Sequence, residues 1–261
     1  MTNLSVKIFA AIIPLMLTTS ATAQEVSQEV NDGVASVKQK NFDWSIETRI
    51  FAPNLNAHIK SADFRFNGGR VDLRDDLNIT RGEAPEIFLR HKNFSLDWIH
   101  LHGAGKSSVD GNLNFGGQNF SGKLDSRSDL HFARLKVDKK IFSLMGTELA
   151  WHVALNAVDW HGTARNGNFV ATENFFAVLP SVGASLCVRI RPRLDIYTQF
   201  SGMTLGKRVH LTDFESGIKY FPQKNFSISA GWRRIHFKFH RGGDLGYFTL
   251  NGAFVGMRYD F

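Results

Sequence analysis

One short stretch of the sequence contains residue types that bind phosphates and metals. It runs from His100 to Ser107 and reads His-Leu-His-Gly-Ala-Gly-Lys-Ser, the ending of a nucleotide-binding loop. That loop needs a glycine where His100 stands and a strand followed by a helix, so we interpret the stretch as a glycine-rich strand end. His100 and His102 would share one strand face and could chelate a metal, but no third ligand is evident nearby. We therefore expect two interfacial or lumen histidines and no metal.

A group of three aspartates precedes this stretch. Carboxylate oxygens are the ligands that calcium prefers, and Asp72, Asp75 and Asp76 could supply them from one loop. Their spacing is not that of a regular calcium loop. The pattern therefore predicts a solvated or structural acidic turn.

A hydrolytic site would need a nucleophile, a base and an orienting acid in one place. The best set in this sequence is His152, with Ser181 or Ser185 on the next strand and Glu148 nearby. Serines and histidines are common inside barrels, so this set does not by itself indicate catalysis. We predict no catalytic residue and no cofactor.

The elements that position these groups are strands, as the end of the chain shows most clearly. Between Gly246 and Phe261, alternate residues form an apolar row that ends in two aromatics, and the other row is small, charged or mixed. The apolar row is Phe261, Tyr259, Met257, Val255 and Ala253. A period of two indicates a strand, and one face of this strand requires a non-aqueous neighbour.

Many more segments alternate in the same way. The predicted strands are 43–52, 57–67, 86–92, 94–103, 112–120, 124–138, 147–161, 175–191, 194–204, 212–220, 226–239 and 246–261. Pro53-Asn54 and Ser121-Gly122 are predicted turns, and Gly68 to Pro85 is a predicted loop. The apolar residues change rows after Arg233-Arg234, which predicts a β-bulge.

Together these strands predict an all-β fold, a transmembrane antiparallel up-and-down β-barrel whose apolar side faces lipid. The count is twelve strands, with ten as the rival because 57–67 and 112–120 alternate weakly. Turns at Arg191 to Arg193 and Phe221 to Asn225 are short and are assigned to the periplasmic side. Glycine-rich or basic segments at 162–170, 206–208 and 240–245 are assigned to the outer side, where loops are longer, although 206–208 is itself short.

The row opposite the lipid carries the charges and predicts the lining of the lumen. The candidates are Glu148, His152, Asn156, Arg189, Arg191, Asp195, Gln199, Asp213, Glu215, Lys219 and Arg258. Buried charges must be paired or hydrated, so the lumen is either water-filled or crossed by ion pairs. Eight strands give a filled interior and sixteen an aqueous channel, so twelve predict a narrow or plugged lumen.

The start of the chain and the composition indicate the cellular compartment of the protein and its expected partners. Residues 1–23 have Lys7, an apolar run and Ala-Thr-Ala, which predicts a cleaved signal peptide. Residues 24–40 are a short periplasmic helix or a linker, and 41–261 are the barrel. The lone Cys187 excludes an internal disulfide. The net charge of +7 is scattered, so the expected partners are outer-membrane lipid and lipopolysaccharide, and no nucleic acid.

Three motifs carry a resemblance to a known class. The final Arg258-Tyr259-Asp260-Phe261 resembles the terminal aromatic signal that the barrel-assembly machinery reads in bacterial outer-membrane barrels. Residues 68–77, Gly-Gly-Arg-Val-Asp-Leu-Arg-Asp-Asp-Leu, resemble a motif of a poorly characterised family of outer-membrane barrels, although Asn78 stands where members often have glycine. Residues 218–222 and 231–233 are also similar to that family. The resemblance implies fold and location, and no reaction or ligand.

These observations leave three functions open. The first is a non-enzymatic barrel of the Gram-negative outer membrane, either a narrow channel for small solutes or a structural or surface protein. The second is an outer-membrane enzyme that modifies lipid A or lipopolysaccharide at its outer rim. The third is a soluble exported β-sandwich that binds a ligand. The oligomeric state is not determined by the sequence.

Overall fold

The computed structural model describes residues 43–60, 71–79, 83–115, 118–167, 169–205, 209–241 and 244–261. The predicted signal peptide, residues 1–23, and the predicted helix or linker, residues 24–40, lie outside the described residues. Within the described ranges, no helix has the length and apolar character needed to cross a bilayer.

Ten antiparallel strands form a closed ring. The described ranges contain eleven strands, all of which except the short β2 belong to the ring: β1 Trp44–Lys60, β2 Val71–Asp72, β3 Ala84–His91, β4 Phe94–Phe115, β5 Gln118–Leu144, β6 Thr147–Asn166, β7 Phe169–Arg191, β8 Leu194–Leu205, β9 Val209–Gln223, β10 Phe226–Arg241 and β11 Asp244–Asp260. The short β2 pairs only with β1, and β11 pairs with β1 to close the ring. The predicted barrel is therefore confirmed with the rival count of ten strands, and the count of twelve is wrong.

The two extra strands were predicted because Pro53-Asn54 and Ser121-Gly122 are typical turn sequences, but the chain continues as a strand through both. Pro53 lies within β1, opposite Gly252 of β11, and a Cβ at Gly252 would collide with the backbone of residues 52 and 53. Gly122 has a φ of +82° but sits inside β5, beside the register shift between Val109 and Leu113 of β4. Residues 57–60 therefore continue β1, residues 112–115 continue β4, and residues 118–120 begin β5. Residues 61–67 lie outside the described ranges.

The bulge predicted in β10 is also wrong. The pairing of β10 with β11 runs without a shift from Phe226 to Arg241, and the only shift against β9 is between Phe226 and Ile228. Trp232 remains on the outside, while Arg233, Ile235 and Phe237 all point inward and are buried. On β10 the apolar residues move from the outward row to the inward row because the interior of the barrel changes from polar to apolar just beyond Arg233.

The outside of the ring carries an apolar belt. Trp151 on β6, Val182 on β7 and Ile196 on β8 are 42%, 63% and 44% exposed, with no second sheet or helix covering them in the described ranges. Every strand of the ring contributes, with Ile50, Ile87, Leu96, Ile141, Phe200, Ile218, Trp232 and Val255 also exposed. So much contiguous apolar surface is unfavourable in water and is typical of a barrel that spans a membrane.

The two ends of the barrel differ. At the near end, Trp44 donates its backbone N–H to the carbonyl oxygen of Phe261 at 3.1 Å, and two-residue turns join β3 to β4, β5 to β6, β7 to β8 and β9 to β10. Toward the far end, β4 to β7 extend to 22, 27, 20 and 23 residues. The segment 162–170, predicted as an outer loop, is therefore mostly strand, and this part of the barrel wall is longer than β8 with its 12 residues.

Candidate functional site in the barrel lumen

A buried arginine organises the middle of the lumen. Arg233 of β10 is 1% exposed and donates to Asp213 Oδ2 at 2.8 Å, Glu86 Oε1 at 3.1 Å and Asp97 Oδ2 at 3.2 Å. A fourth carboxylate oxygen, Glu215 Oε2, lies 3.7 Å from its Nε. The planar guanidinium presents five N–H donors in a fixed fork, which allows one side chain to bridge several strands.

Two more arginines extend this network. Arg49 of β1 donates to Glu47 at 2.7 Å and to Glu215 at 2.8 Å. Arg134 of β5 donates to Asn156 at 2.8 Å and also pairs with Asp213. All of these side chains are buried. Because an isolated charge is very costly to bury, the pairing explains how the charges are tolerated inside the barrel.

The ion pairs cross the lumen and do not follow the wall. In the ring, β5 and β9 are separated by β6, β7 and β8, yet Arg134 pairs with Asp213. Likewise β10 and β4 are separated by β11, β1 and β3, yet Arg233 reaches Asp97. Side chains that join distant parts of a ten-stranded ring fill its cross-section at that level. We call this set the arginine network, comprising Glu47, Arg49, Glu86, Asp97, Arg134, Asp213, Glu215 and Arg233.

Beyond the arginine network, toward the far end, the lumen is apolar. On β1 the inward row changes from Glu47 and Arg49 to Phe51 and Leu55, and on β9 it changes from Asp213 to Leu211. The same change recurs around the ring, and the apolar cluster includes Ile99, Leu101, Leu130, Phe132, Val158, Trp160, Ile235, Phe237, Phe248, Leu250 and Phe254. The lumen is thus filled by two layers, one of ion pairs and one of hydrocarbon.

An inward turn adds to the apolar layer. After β2, the side chains of Leu73, Leu77 and Ile79 are buried in the apolar cluster. Gly103 and Gly105 of β4 make room for this turn, because a Cβ at Gly103 would meet Ile79 and one at Gly105 would meet the carbonyl oxygen of Leu77. The glycines that suggested a phosphate loop therefore serve packing, and β4 continues through them as a strand.

The aspartates of this turn bond to its own backbone. Asp72 Oδ1 accepts from the N–H groups of Arg74 at 2.9 Å and Asp75 at 3.1 Å, and Asp76 Oδ2 accepts from Asp72 N–H at 2.7 Å. These bonds are those of an Asx-type turn. Within the described part of the chain, no group of three or more His, Cys, Asp or Glu is placed to hold a metal ion.

The predicted lumen residues occupy three environments. His152, Asn156, Asp195, Asp213 and Glu215 are buried inside. Glu148, Gln199, Lys219 and Arg258 are half-buried on the same inward rows, and Gln199 accepts from Lys136 Nζ at 3.0 Å. Arg189 and Arg191 are exposed near the turn that joins β7 to β8, where Arg189 pairs with Asp195 at 2.9 Å. The role of these residues as the lining of the lumen stays a prediction.

The possible hydrolytic set has no common centre. Ser181 accepts from Asn156 Nδ2 at 2.9 Å, and Glu148 pairs with Lys140 at 2.7 Å. His152 is fully buried against Gly183, and neither of its ring nitrogens makes a hydrogen bond to any residue that the structure describes. Its nearest acid is Asp138, 3.8 Å from Nδ1. A base without a bound nucleophile or an access route is poorly arranged for catalysis.

The histidine pair predicted on β4 lies on the outside. His102 Nδ1 is 2.6 Å from Asp129 of β5, and His100 stacks on His131 with ring centroids 4.4 Å apart. Both histidines follow Trp98 on the outward row, directly beyond the apolar belt. They are thus interfacial histidines outside the lumen.

Most residues of the arginine network were not among the lumen residues predicted from the sequence. Glu47 and Arg49 alternate with the apolar row of β1, so the same alternation could have identified them. Arg233 was hidden by the change of rows in β10, which suggested a bulge. Glu86, Asp97 and Arg134 lie on strands whose inward rows are mixed, and only the closed ring shows that they meet.

No protein-family model matches the chain, and no curated protein sequence matches it. Among solved structures, the outer-membrane protease OmpT of Escherichia coli is similar at 9% identity and TM-score 0.47, covering 86% of this chain and 100% of that chain. The transport unit of the autotransporter AIDA-I of Escherichia coli gives 10% identity and TM-score 0.42, covering 87% and 93%. Neisserial surface protein A gives 10% and 0.35, covering 84% and 97%.

With TM-scores below 0.5, none of these likenesses says what this chain binds or does. The closed ring of ten antiparallel strands and its apolar outside are the architecture of a bacterial outer-membrane β-barrel protein.

Proposed function

We propose that this protein is a non-enzymatic β-barrel of the Gram-negative outer membrane that acts as a structural or surface protein and does not conduct solutes. The observation that carries the proposal is the arginine network, in which Arg134–Asp213 and Arg233–Asp97 join distant parts of the ring. An open pore would require these pairs to separate in a low-dielectric interior, which is costly for each unpaired charge.

The apolar layer supports the same proposal. Water and ions that passed the arginine network would next meet the apolar side chains around Phe132, Phe237 and Phe248. A narrow apolar segment resists wetting and blocks ions without any charged gate. Two barriers of different chemistry thus stand in series along the same axis.

We expect the full-length mature chain, refolded and inserted into planar lipid bilayers, to show no stepwise conductance. Folding and insertion are verified separately by heat-modifiable migration on a gel, so that the absence of conductance is not confused with failure to insert. A porin reconstituted in the same bilayers provides the positive control. Reproducible unit steps that depend on the amount of inserted protein would contradict the proposal and favour the narrow channel.

The other two functions fit less well. A soluble β-sandwich consists of two packed sheets, whereas these strands form one closed ring, so that prediction is wrong. A lipid-modifying enzyme would need its base and nucleophile at an accessible rim, while His152 and Ser181 are buried. The proposal also includes recognition of the exposed Phe261 by the barrel-assembly machinery, as the terminal motif implies.

A further inference from the structure

One sector of the outer surface concentrates cationic and hydrogen-bonding side chains directly beyond the apolar belt. On β10, the outward row continues from Trp232 to Arg234, His236 and Lys238, and the side chains of Arg234 and Lys238 are exposed. The neighbouring strands place further donors beside them, as the strand registers show. We call this sector the β10 patch, and its members are His58, His210, Arg234, His236, Lys238, Tyr247 and Asn251.

The register brings these residues into contact across three strand boundaries. Lys238 lies opposite His210 of β9 and Tyr247 of β11, and Tyr247 lies opposite His58 of β1. The rings of His210 and His236 are 5.5 Å apart, those of His236 and Tyr247 are 4.9 Å apart, and those of His58 and Tyr247 are 5.3 Å apart. The patch is therefore one continuous surface.

The charge of this surface is one-sided. No acidic residue is found among the outward side chains that the structure describes on β9, β10, β11 and β1. At the edge of the patch, Asp72 of β2 lies 2.6 Å from His58 Nδ1. Arg234 and Lys238 consequently have no acidic partner in the described sector, and an anion from outside the protein would complement them.

The opposite wall carries carboxylates as well as cations. On β4 to β6, Asp125 lies directly opposite both Lys106 and Arg165, and Asp129 lies 2.6 Å from His102. His161 has Asp159 at 3.6 Å. Cations on this wall thus share it with carboxylates, whereas the described outward side chains of β9, β10, β11 and β1 include no carboxylate.

The position of the patch identifies its ligand. Trp232 is 47% exposed in the belt and donates its Nε1–H to Asn251 at 2.7 Å, as an aromatic residue at a membrane interface does. Arg234 follows Trp232 by two residues along β10, which places it roughly 7 Å beyond Trp232 at about 3.3 Å per residue. The patch therefore lies at the height of lipid headgroups. An anion that approaches there while its chains cover the apolar belt is a phosphorylated lipid.

We propose that the β10 patch binds the phosphate groups of a phosphorylated glycolipid in the outer leaflet, with Arg234 and Lys238 as the main contacts. Guanidinium and ammonium groups both bind phosphate, and hydroxyl and amide donors complete the coordination. This inference rests on the outer-membrane placement proposed above.

The test is a titration of the full mature chain, refolded in uncharged detergent, with bisphosphorylated lipid A, followed by native mass spectrometry. We expect R234Q/K238Q to bind at least about 25-fold more weakly, because each basic residue near an anionic lipid contributes about fivefold. The control variant K106Q/R165Q removes the same charge from the wall formed by β4 to β6 and should bind as the unmodified chain does. R234K/K238R, which keeps both charges, should retain most of the affinity.

Three outcomes would overturn the inference. Equal weakening in R234Q/K238Q and K106Q/R165Q would show a general effect of net charge. Equal binding of dephosphorylated lipid A would show that the acyl chains alone are recognised. Displacement of the lipid by millimolar inorganic phosphate would identify a free-anion site. Heat-modifiable migration of each variant separates these results from misfolding, and conductance steps would count against the proposed function and not against the patch.

Discussion

Replacing Arg233 with methionine is expected to lower the free energy of unfolding by about 3–5 kcal/mol, because removal of one partner leaves buried charges uncompensated. Three carboxylates accept hydrogen bonds from this guanidinium and a fourth lies within 4 Å, and the four are carried by β3, β4 and β9. Methionine has a similar length and is apolar, so the loss reports the charge and the hydrogen bonds more than the packing. Guanidinium chloride unfolding from lipid vesicles, followed by tryptophan fluorescence, measures it.

Two companion variants make the result specific. Arg233→Lys keeps one charge but lacks the fork that reaches several carboxylates, so we expect a smaller loss than with methionine. Arg193→Met removes an exposed arginine from the turn between β7 and β8 and should change stability by no more than about 0.5 kcal/mol. If Arg233→Met were as mild as Arg193→Met, the arginine network would not hold the lumen closed.

The second large effect is expected on the outside of the barrel, at Val182. This residue lies in the middle of the outward row of β7, which runs from Phe176 to Ile190, and it is 63% exposed. An arginine there would place its charge near the bilayer midplane, so Val182→Arg should destabilise the folded protein in vesicles by about 2–4 kcal/mol. The same unfolding titration detects the change.

The matched control is Thr172→Arg on the same face of the same strand. Thr172 is exposed and lies beyond the apolar belt, where an arginine should cost about 0–1 kcal/mol. A large effect at both positions would reflect a perturbed strand and not the membrane. A small effect at both would mean that the exposed row of β7 does not face hydrocarbon.

The sequence predicted the outside of the barrel better than the inside. The outward row of every strand must be apolar because it contacts lipid, and such a row can be recognised from the sequence of one strand alone, as in Val255, Met257 and Tyr259. The interior has no such rule. On β10 it accepts Arg233 at one level and Phe237 at the next, so an inward row changes character without any bulge.

The predicted strand boundaries were wrong where residues typical of turns occur inside long strands. Proline and glycine usually mark turns, but Pro53 sits in β1 because Gly252 on the neighbouring strand leaves space for it. Gly122 accommodates a register shift with its φ of +82°. Both features depend on the partner strand, which the local sequence does not contain.

Which charges pair in the arginine network could not be predicted, for a related reason. Its pairs join residues as distant as Glu86 and Arg233, 147 positions apart in the chain. Alternation assigns each charge to the inward face, but the closure of the ring decides which charges meet. The β10 patch likewise becomes visible only when the register aligns His210, Lys238, Tyr247 and His58 in one row.

The central claim is that hydrocarbon surrounds the belt while the lumen is packed, and the tryptophans allow a direct test. Trp151 is 42% exposed on the belt, whereas Trp160, nine residues further along β6, is 1% exposed inside the lumen. Two single-tryptophan variants, each with the other four tryptophans replaced by phenylalanine, are reconstituted in vesicles that contain bromine-labelled lipid chains. Strong quenching of Trp151 and weak quenching of Trp160 is the predicted result. Quenching of Trp151 by aqueous iodide but not by brominated lipid, or equal quenching of both residues by the lipid, would contradict the account.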